Sequence, residues 1–457
     1  MIDAASGQTF EVTDPSTGEF IGIAPEFDAD DTKKAIDAAA AAFPSFKTTT
    51  GRERAKLLRK WYDLMIENNA KGETTYAANF LEWFSEEAPR NYGDVIPSSV
   101  PGNRIVTLKE PVGVVGLITP WNFPAAMITR KIAPALAAGC TVVAKSPGET
   151  PFTSLALAEL AHRAGIPKGV VNFVSALKNT PAVGEILTTS PIIKKVSFTG
   201  STGVGKILMK QSSSTLKKLS FELGGNAPFI VFDDADLDLA VAGAIACKFR
   251  SSGQTCVCAN RIFVQSGIYD AFAEKFAAKV KDFKVGGGFS EGVTHGPVIH
   301  DRAVDKVEAH VRDAEKKGGK VIQGGQKIPE LGTNFFQPTV ITGITTEMDI
   351  ANEETFGPVA GLFKFNTEEE VVKIANSSDV GLAGYFFTKD LERATRISEE
   401  LELGMVGVNT GLISDVASPF GGVKESGFGR EGSKYGIAEY QTIKVVTYGG
   451  SNDITVF

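Results

Sequence analysis

The sequence predicts an α/β protein made of two doubly wound parallel-sheet domains with a cleft between them. Three observations carry this expectation. The chain has 457 residues, enough for two or three domains and a sizeable core. Short apolar runs of strand length alternate with helical stripes along it. The alternation breaks at a polar Gly-Gly turn after Glu222 and then resumes, which marks a change of halves.

The elements follow in order. Residues 32–43 are alanine-rich and helical in pattern, and residues 51–67 place Leu57, Leu58, Trp61, Leu64 and Met65 on one helical stripe. Residues 105–108 alternate as a strand does. Residues 112–118 read as a buried strand running into the loop Pro120-Trp121-Asn122-Phe123-Pro124, and residues 127–138 as the helix after it. A second buried strand covers 141–145, followed by a Pro-Gly turn and a helix over 153–164. Strands at 170–174 and 195–199 complete the first half, the latter ending at a glycine loop. Beyond Glu222, strands are expected at 229–232, 261–264, 361–365 and 405–408, with a helix over 237–249.

Composition excludes several classes. Hydrophobic residues make up 43% and charged residues 22%, an ordinary globular balance. The net charge of −7, with both signs interspersed, argues against nucleic acid or an anionic membrane as partner. No apolar run reaches bilayer length, and Met1 to Gly7 carries no basic or apolar leader pattern, so a cytoplasmic protein is expected. Four cysteines are too few for a disulfide scaffold, and four histidines are scattered without metal-ligand spacing. No metal is expected.

The chemistry concentrates in two segments. Ser251-Ser252-Gly253-Gln254-Thr255-Cys256-Val257-Cys258 offers a thiol in a small polar loop, and Phe221-Glu222-Leu223-Gly224-Gly225-Asn226 offers a carboxylate beside a tight turn. A cysteine taken alone is usually a small buried hydrophobe. As a nucleophile it must ionise, so it needs a site that lowers its pKa. A nearby carboxylate can act as base toward water. The pairing of Gly-Gln-Thr-Cys with Glu-Leu-Gly-Gly resembles the two signatures of the aldehyde dehydrogenase superfamily.

Four further segments, in family order, extend the resemblance over nearly the whole chain. Phe198-Thr199-Gly200-Ser201-Thr202-Gly203-Val204-Gly205 lacks the usual G-x-G-x-x-G spacing but resembles the family's dinucleotide loop, with Gly200, Ser201 and Gly205 at the cofactor positions. Pro120-Trp121-Asn122 resembles the segment whose asparagine completes an oxyanion hole, with Trp121 on the cofactor side. Glu353-Glu354-Thr355-Phe356-Gly357-Pro358 resembles the segment whose glutamate, here Glu354, holds the nicotinamide ribose while Phe356 packs near the ring. Ser418 to Gly427 resembles a structural segment.

The resemblance implies a catalytic set of Cys256, Glu222 and Asn122, and a lysine, Lys145, on the adenine ribose. Three residues on, many NAD-preferring members carry an acid. Gly148 stands there, which leaves room for a 2′-phosphate, and Glu149 follows it. NADP or NAD is expected, with a slight preference for NADP. The domain division implied is a dinucleotide-binding domain over 1–223, a catalytic domain over 224–424, and an oligomerisation arm formed by a projecting β-hairpin at 93–111 with 440–457. A homodimer or homotetramer is the implied assembly.

For the substrate, Arg250 precedes Cys256 by six residues and Arg130 follows Asn122 by eight. An arginine fork binds a carboxylate bidentately. Their surroundings, with Ser414 in Gly411-Leu412-Ile413-Ser414, resemble succinate-semialdehyde dehydrogenases, where two arginines and a serine hold the substrate carboxylate. The implied reaction is oxidation of succinic semialdehyde to succinate, as in 4-aminobutyrate breakdown. Glutarate semialdehyde, one methylene longer, is the nearest competitor.

The chain departs from the family at residues 67–74, which are shorter than in relatives, and it begins inside what is there a strand hairpin. The first departure is expected to remove surface cover from the cofactor domain, and a shortened, non-catalytic binding protein on the same fold stays open on that ground. A cysteine hydrolase needs a histidine beside Cys256, and none is nearer in sequence than His295. Cys258, two residues from Cys256, could close a strained and easily reduced disulfide that silences the nucleophile. Peroxide should then inactivate the protein reversibly, dithiothreitol restoring activity, and Cys258→Ala should abolish that reversibility. Equal, irreversible loss in both proteins would remove the idea.

Overall fold

The computed structural model describes residues 2–68 and 71–449. Two open sheets organise the chain. The first has six strands in the order Gly427–Phe428, Lys218–Glu222, Ile193–Thr199, Val114–Ile118, Thr141–Ser146 and Val171–Ser175. All neighbours run parallel except the Gly427–Phe428 edge. The second has seven strands in the order Lys320–Gln323, Thr339–Thr342, Val359–Phe365, Ala259–Gln265, Ala227–Val231, Ala383–Phe387 and Met405–Val408. It too is parallel apart from one antiparallel edge, Lys320–Gln323. Helices cover these sheets and bury near-continuous apolar strands such as Val114–Ile118 and Ala227–Val231.

A third sheet is antiparallel. Gln441–Tyr448 pairs along its whole length with Arg104–Pro111, which also pairs with Val95–Pro97. This long partner extends the strand read from 105–108 to Arg104–Pro111. Val95, Ile443, Val445 and Tyr448 lie exposed on the sheet. Residues 450–457 of the expected arm, like Met1, lie outside the described residues. No helix among the described residues is long and apolar enough to cross a membrane.

Local signals explain where helices begin. Thr50 and Glu53 form a reciprocal capping box at the head of Gly51–Glu67. The helix expected from 153 starts at Pro151, where proline's missing N–H costs nothing. Asp28 caps Ala29–Phe46, which begins three residues before the expected start.

Within the segment 67–74, residues 69 and 70 lie outside the described residues. The Gly51–Glu67 and Glu73–Glu87 helices pack directly on each other, burying Trp61, Phe80 and Phe84. The helix Ala126–Ala138 lies against Glu73–Glu87 and is buried at every position, Arg130 and Lys131 included. Buried cations demand partners. Those partners define the site.

Candidate active site

Cys256 sits in the turn between the helix Leu237–Phe249 and the strand Ala259–Gln265. The chain leaves that helix through three successive left-handed residues, Ser251 (φ 50°), Ser252 (φ 54°) and Gly253 (φ 78°). For the serines this conformation costs roughly 1–2 kcal/mol each. At Gly253 a Cβ would drive into the Gly357 carbonyl. At Gly225 a Cβ would collide with the carbonyl of Cys256 itself. The Gly-Gly turn after Glu222 is therefore what lets the first sheet's last parallel strand abut the cysteine loop.

Glu222 ends the strand Lys218–Glu222 and is buried. Its carboxylate interacts with the Cys256 thiol, and neither oxygen has a conventional hydrogen-bond partner. Burial pushes the Glu222 pKa up, with Glu431 adding to the rise, while Arg130 and Lys131 oppose it. Burial and then Glu222 raise the Cys256 thiol well above its usual range, and Arg130 works the other way. The sequence reading asked for surroundings that lower the thiol pKa; desolvation makes them do the reverse. Two acids in one dry pocket resist carrying two negative charges together. The pair is poised to share one.

Asn122 lies between the strand Val114–Ile118 and the helix Ala126–Ala138. One amide N–H donates to the Gln254 carbonyl at 3.0 Å, and the amide oxygen is buried without a partner. The amide has two N–H donors, so one is left for a substrate oxygen.

Of the residues expected to hold a dinucleotide, Trp121, Lys145, Gly148, Gly200 and Ser201 lie at or just beyond ends of first-sheet strands, whereas Glu354 and Phe356 precede the second-sheet strand Val359–Phe365. The helix Thr202–Ser212 starts directly after Ser201, whose side chain does not cap it. The Thr199 hydroxyl beside it is buried and unpaired. Free N–H groups at a helix start and an orphan hydroxyl fit a pyrophosphate. Gly205 admits the Leu223 side chain, which a Cβ would meet at 2.6 Å. Lys145 is buried near the end of Thr141–Ser146, and desolvation pulls its pKa down to about 8. Gly148 does not open onto empty space: a Cβ there would meet Leu177 Cδ1 at 2.6 Å. The room expected for a 2′-phosphate is partly taken by that leucine, although the absence of an acid at 148 stands. The Glu354 carboxylate accepts a long hydrogen bond from the Gly225 N–H at 3.4 Å, and burial lifts its pKa to about 7. Phe356 holds a left-handed φ of 50° and packs edge-on against Trp121 with ring centroids 5.8 Å apart.

A narrow pocket lies in front of the thiol. Its lining includes Tyr76, Phe123, Arg130, Arg250, Cys256, Ser414 and Phe420. Both arginines and the serine singled out in the sequence thus share one pocket with the cysteine. Arg130, only 2% exposed, lies 4.4 Å from the Phe420 ring centroid, and its Nε is 3.5 Å from Glu431 Oε2. Arg250 sits 5.0 Å from the Phe123 ring centroid.

Two candidates lie elsewhere. Cys258 is buried with its sulfur donating to the Gly253 carbonyl at 3.2 Å and 4.0 Å from Lys248 Nζ; it does not line the pocket. His295 stacks on Phe283 with centroids 3.9 Å apart, and no histidine lines the pocket, so the cysteine hydrolase reading loses its base.

The sequence reading missed Tyr76, Lys131 and Glu431. Lys131 pairs with Glu431, and its Nζ donates to Ser197 Oγ at 3.1 Å. The available signal was the Arg130-Lys131 pair inside an otherwise apolar helix, since charges there must be answered from elsewhere in the chain.

The aldehyde dehydrogenase family model matches residues 1–446. The chain belongs to the aldehyde dehydrogenase family. This member is 58% identical over 464 residues to the NADP(+) succinate-semialdehyde dehydrogenase 1 of Schizosaccharomyces pombe, covering 98% of this chain and 93% of that protein. It is 53% identical to the glutarate-semialdehyde dehydrogenase of Pseudomonas aeruginosa, over 98% of this chain and 96% of that one. The crystal structure of succinate-semialdehyde dehydrogenase from Burkholderia pseudomallei superimposes with a TM-score of 0.97 at 53% identity, covering 98% and 96% of the two chains.

The Gly225 contact sets a test for this aldehyde dehydrogenase. Gly225→Ala should displace the Cys256 backbone and lower kcat by about a hundredfold or more, with the thermal midpoint little changed. A variant of parental kcat would show that the close approach does not position the nucleophile.

Proposed function

We propose that this aldehyde dehydrogenase oxidises succinic semialdehyde to succinate, with NADP as the favoured acceptor and NAD as the alternative. One observation carries the substrate reading: Arg130, Arg250 and Ser414 line the same pocket as Cys256. An acidic chain that concentrates two guanidinium groups around a thiol is equipped for an aldehyde with an anionic end.

The residues divide the work as follows. The arginines and Ser414 hold the substrate carboxylate, which directs the aldehyde carbon to Cys256. The thiol gives up its proton, toward the adjacent Glu222, and the sulfur adds to the carbonyl. The free Asn122 N–H and the Cys256 backbone N–H stabilise the oxyanion; removing one such donor typically costs roughly 3–4 kcal/mol of barrier. The bound nicotinamide supplies the hydride acceptor for collapse to the thioester. Glu222 releases the thiol proton to solvent and, again a carboxylate, takes a proton from water; the water oxygen attacks the thioester, succinate leaves, and the departing sulfur regains its proton from Glu222. The raised Glu222 pKa suits a group that must both accept and release a proton.

Lys145, Gly200, Ser201, Gly205, Glu354 and Phe356, with Trp121 and Gly148, form the cofactor side of this reading. The NADP preference rests on the missing acid at 148 and on the NADP(+) relative. Glutarate semialdehyde remains the second reading, because a relative of that name is nearly as similar and one methylene discriminates by only about 1–3 kcal/mol. The division into a cofactor domain (1–223), a catalytic domain (224–424) and an arm is part of the proposal. So are a cytoplasmic setting and assembly into a homodimer or homotetramer, supported by the exposed apolar residues on the antiparallel sheet.

Arg130→Ala and Arg250→Ala should each raise KM for succinic semialdehyde roughly tenfold to a hundredfold while leaving an uncharged aldehyde such as butanal little affected. If both variants keep the preference for acidic aldehydes, the substrate assignment is wrong. The cofactor reading has a pH signature. Lys145 loses its charge as pH rises through about 8, so KM for NADP should climb across that range, and Lys145→Met should flatten the climb. A parental KM for NADP that is level there would count against Lys145 as the cation at the adenine ribose.

A further inference from the structure

Arg130 reaches the pocket from a helix buried along its whole length, so its direction is set by what surrounds it. On one side Glu431 draws its Nε, at 3.5 Å. On the other, Arg130 Nη2 donates to the hydroxyl oxygen of Tyr76 at 2.9 Å. Tyr76 belongs to the helix Glu73–Glu87, is half-buried, and itself lines the pocket. Its ring is held edge-on against Phe80, with centroids 5.1 Å apart.

The hydrogen-bond inventory of that hydroxyl is incomplete. A phenol can accept and also donate one proton. Arg130 uses the acceptor, and among the described residues the Tyr76 O–H has no acceptor. Its proton is left beside the guanidinium, in a pocket whose other polar groups include Arg250 and Ser414. One turn earlier on the same helix, Glu73 accepts the N–H groups of Ala125 and Ala126 at 3.0 and 2.6 Å. The helix Ala126–Ala138 has no side-chain cap of its own, so Glu73 supplies it from a distance. The Glu73–Glu87 helix therefore fixes both the start of the Arg130 helix and the tip of the Arg130 side chain.

We infer that Tyr76 is a substrate-binding, specificity-determining residue: its O–H donates to the anionic end of the aldehyde while its oxygen holds Arg130 turned toward the same group. The inference rests on the anionic-aldehyde reading and adds a donor to it.

The test is Tyr76→Phe, which keeps the ring and removes the hydroxyl. KM for succinic semialdehyde and the inhibition constant of succinate should both rise about tenfold or more. Saturated kcat should stay within about twofold, because the donor acts on the unreactive end, and KM for butanal should not move. A merely structural role would disturb both aldehydes alike. Unchanged KM for succinic semialdehyde, or equal increases for both aldehydes, overturns the inference. Arg130→Ala and Arg250→Ala run alongside separate the two failures. If they lose the acidic preference and Tyr76→Phe keeps it, only the Tyr76 assignment falls; if all three keep it, the anionic-substrate reading falls and takes Tyr76 with it.

Discussion

The site depends on keeping a thiol and a carboxylate together out of water. Desolvation raises both pKa values; Glu222 raises that of the thiol further, while the hydrogen bond from the thiol lowers that of Glu222. The cost is contained by charge placed one layer back. Arg130 and Lys131 lie on a wholly buried helix, and Glu431 balances them. Removing Glu431 would leave two cations unanswered in the interior, a far larger loss than a surface ion pair suffers. The rest of the architecture brings these groups to one place: two sheets that present strand ends to a common cleft, and glycines that let backbone touch backbone.

Glycine at 225 is the sharpest case. The carboxylate belongs to the first sheet and the nucleophile to a loop feeding the second, and the contact between them admits no Cβ. The serines held in left-handed conformation before Cys256 have the same sense. Local strain is accepted so that a side chain points where the fold alone would not send it.

Much of this was legible in the sequence, for identifiable reasons. Parallel strands buried on both faces read as plain apolar runs, so Val114–Ile118, Thr141–Ser146 and Ala227–Val231 were found with ends within about two residues. The helix Leu237–Phe249 was found with its bounds intact. The cysteine, the arginines and Ser414 were found because the short segments around them resemble those of the family. What escaped was set by contacts between distant segments. Tyr76 carries no local motif; only packing of its helix on Ala126–Ala138 brings it to the pocket. Glu431 carries no local motif either; what marks it is its pairing with the buried Lys131. Leu177 over Gly148 was invisible for the same reason, and it altered what the glycine meant. The raised thiol pKa likewise follows from three-dimensional burial, which no spacing rule encodes.

One feature of the first sheet bears on how the protein is made. The strand ending in Glu222 is flanked by Gly427–Phe428, and Leu223 N–H donates to the Ser426 carbonyl at 2.9 Å. Glu431 comes from the same late stretch. During synthesis, that edge stays unzipped until residues 427 and 428 have left the ribosome. The carboxylate and its counter-charges are thus assembled last. A nascent chain that stops short of residue 426 carries the cysteine and the buried cations but lacks both the edge strand beside Glu222 and the Glu431 carboxylate.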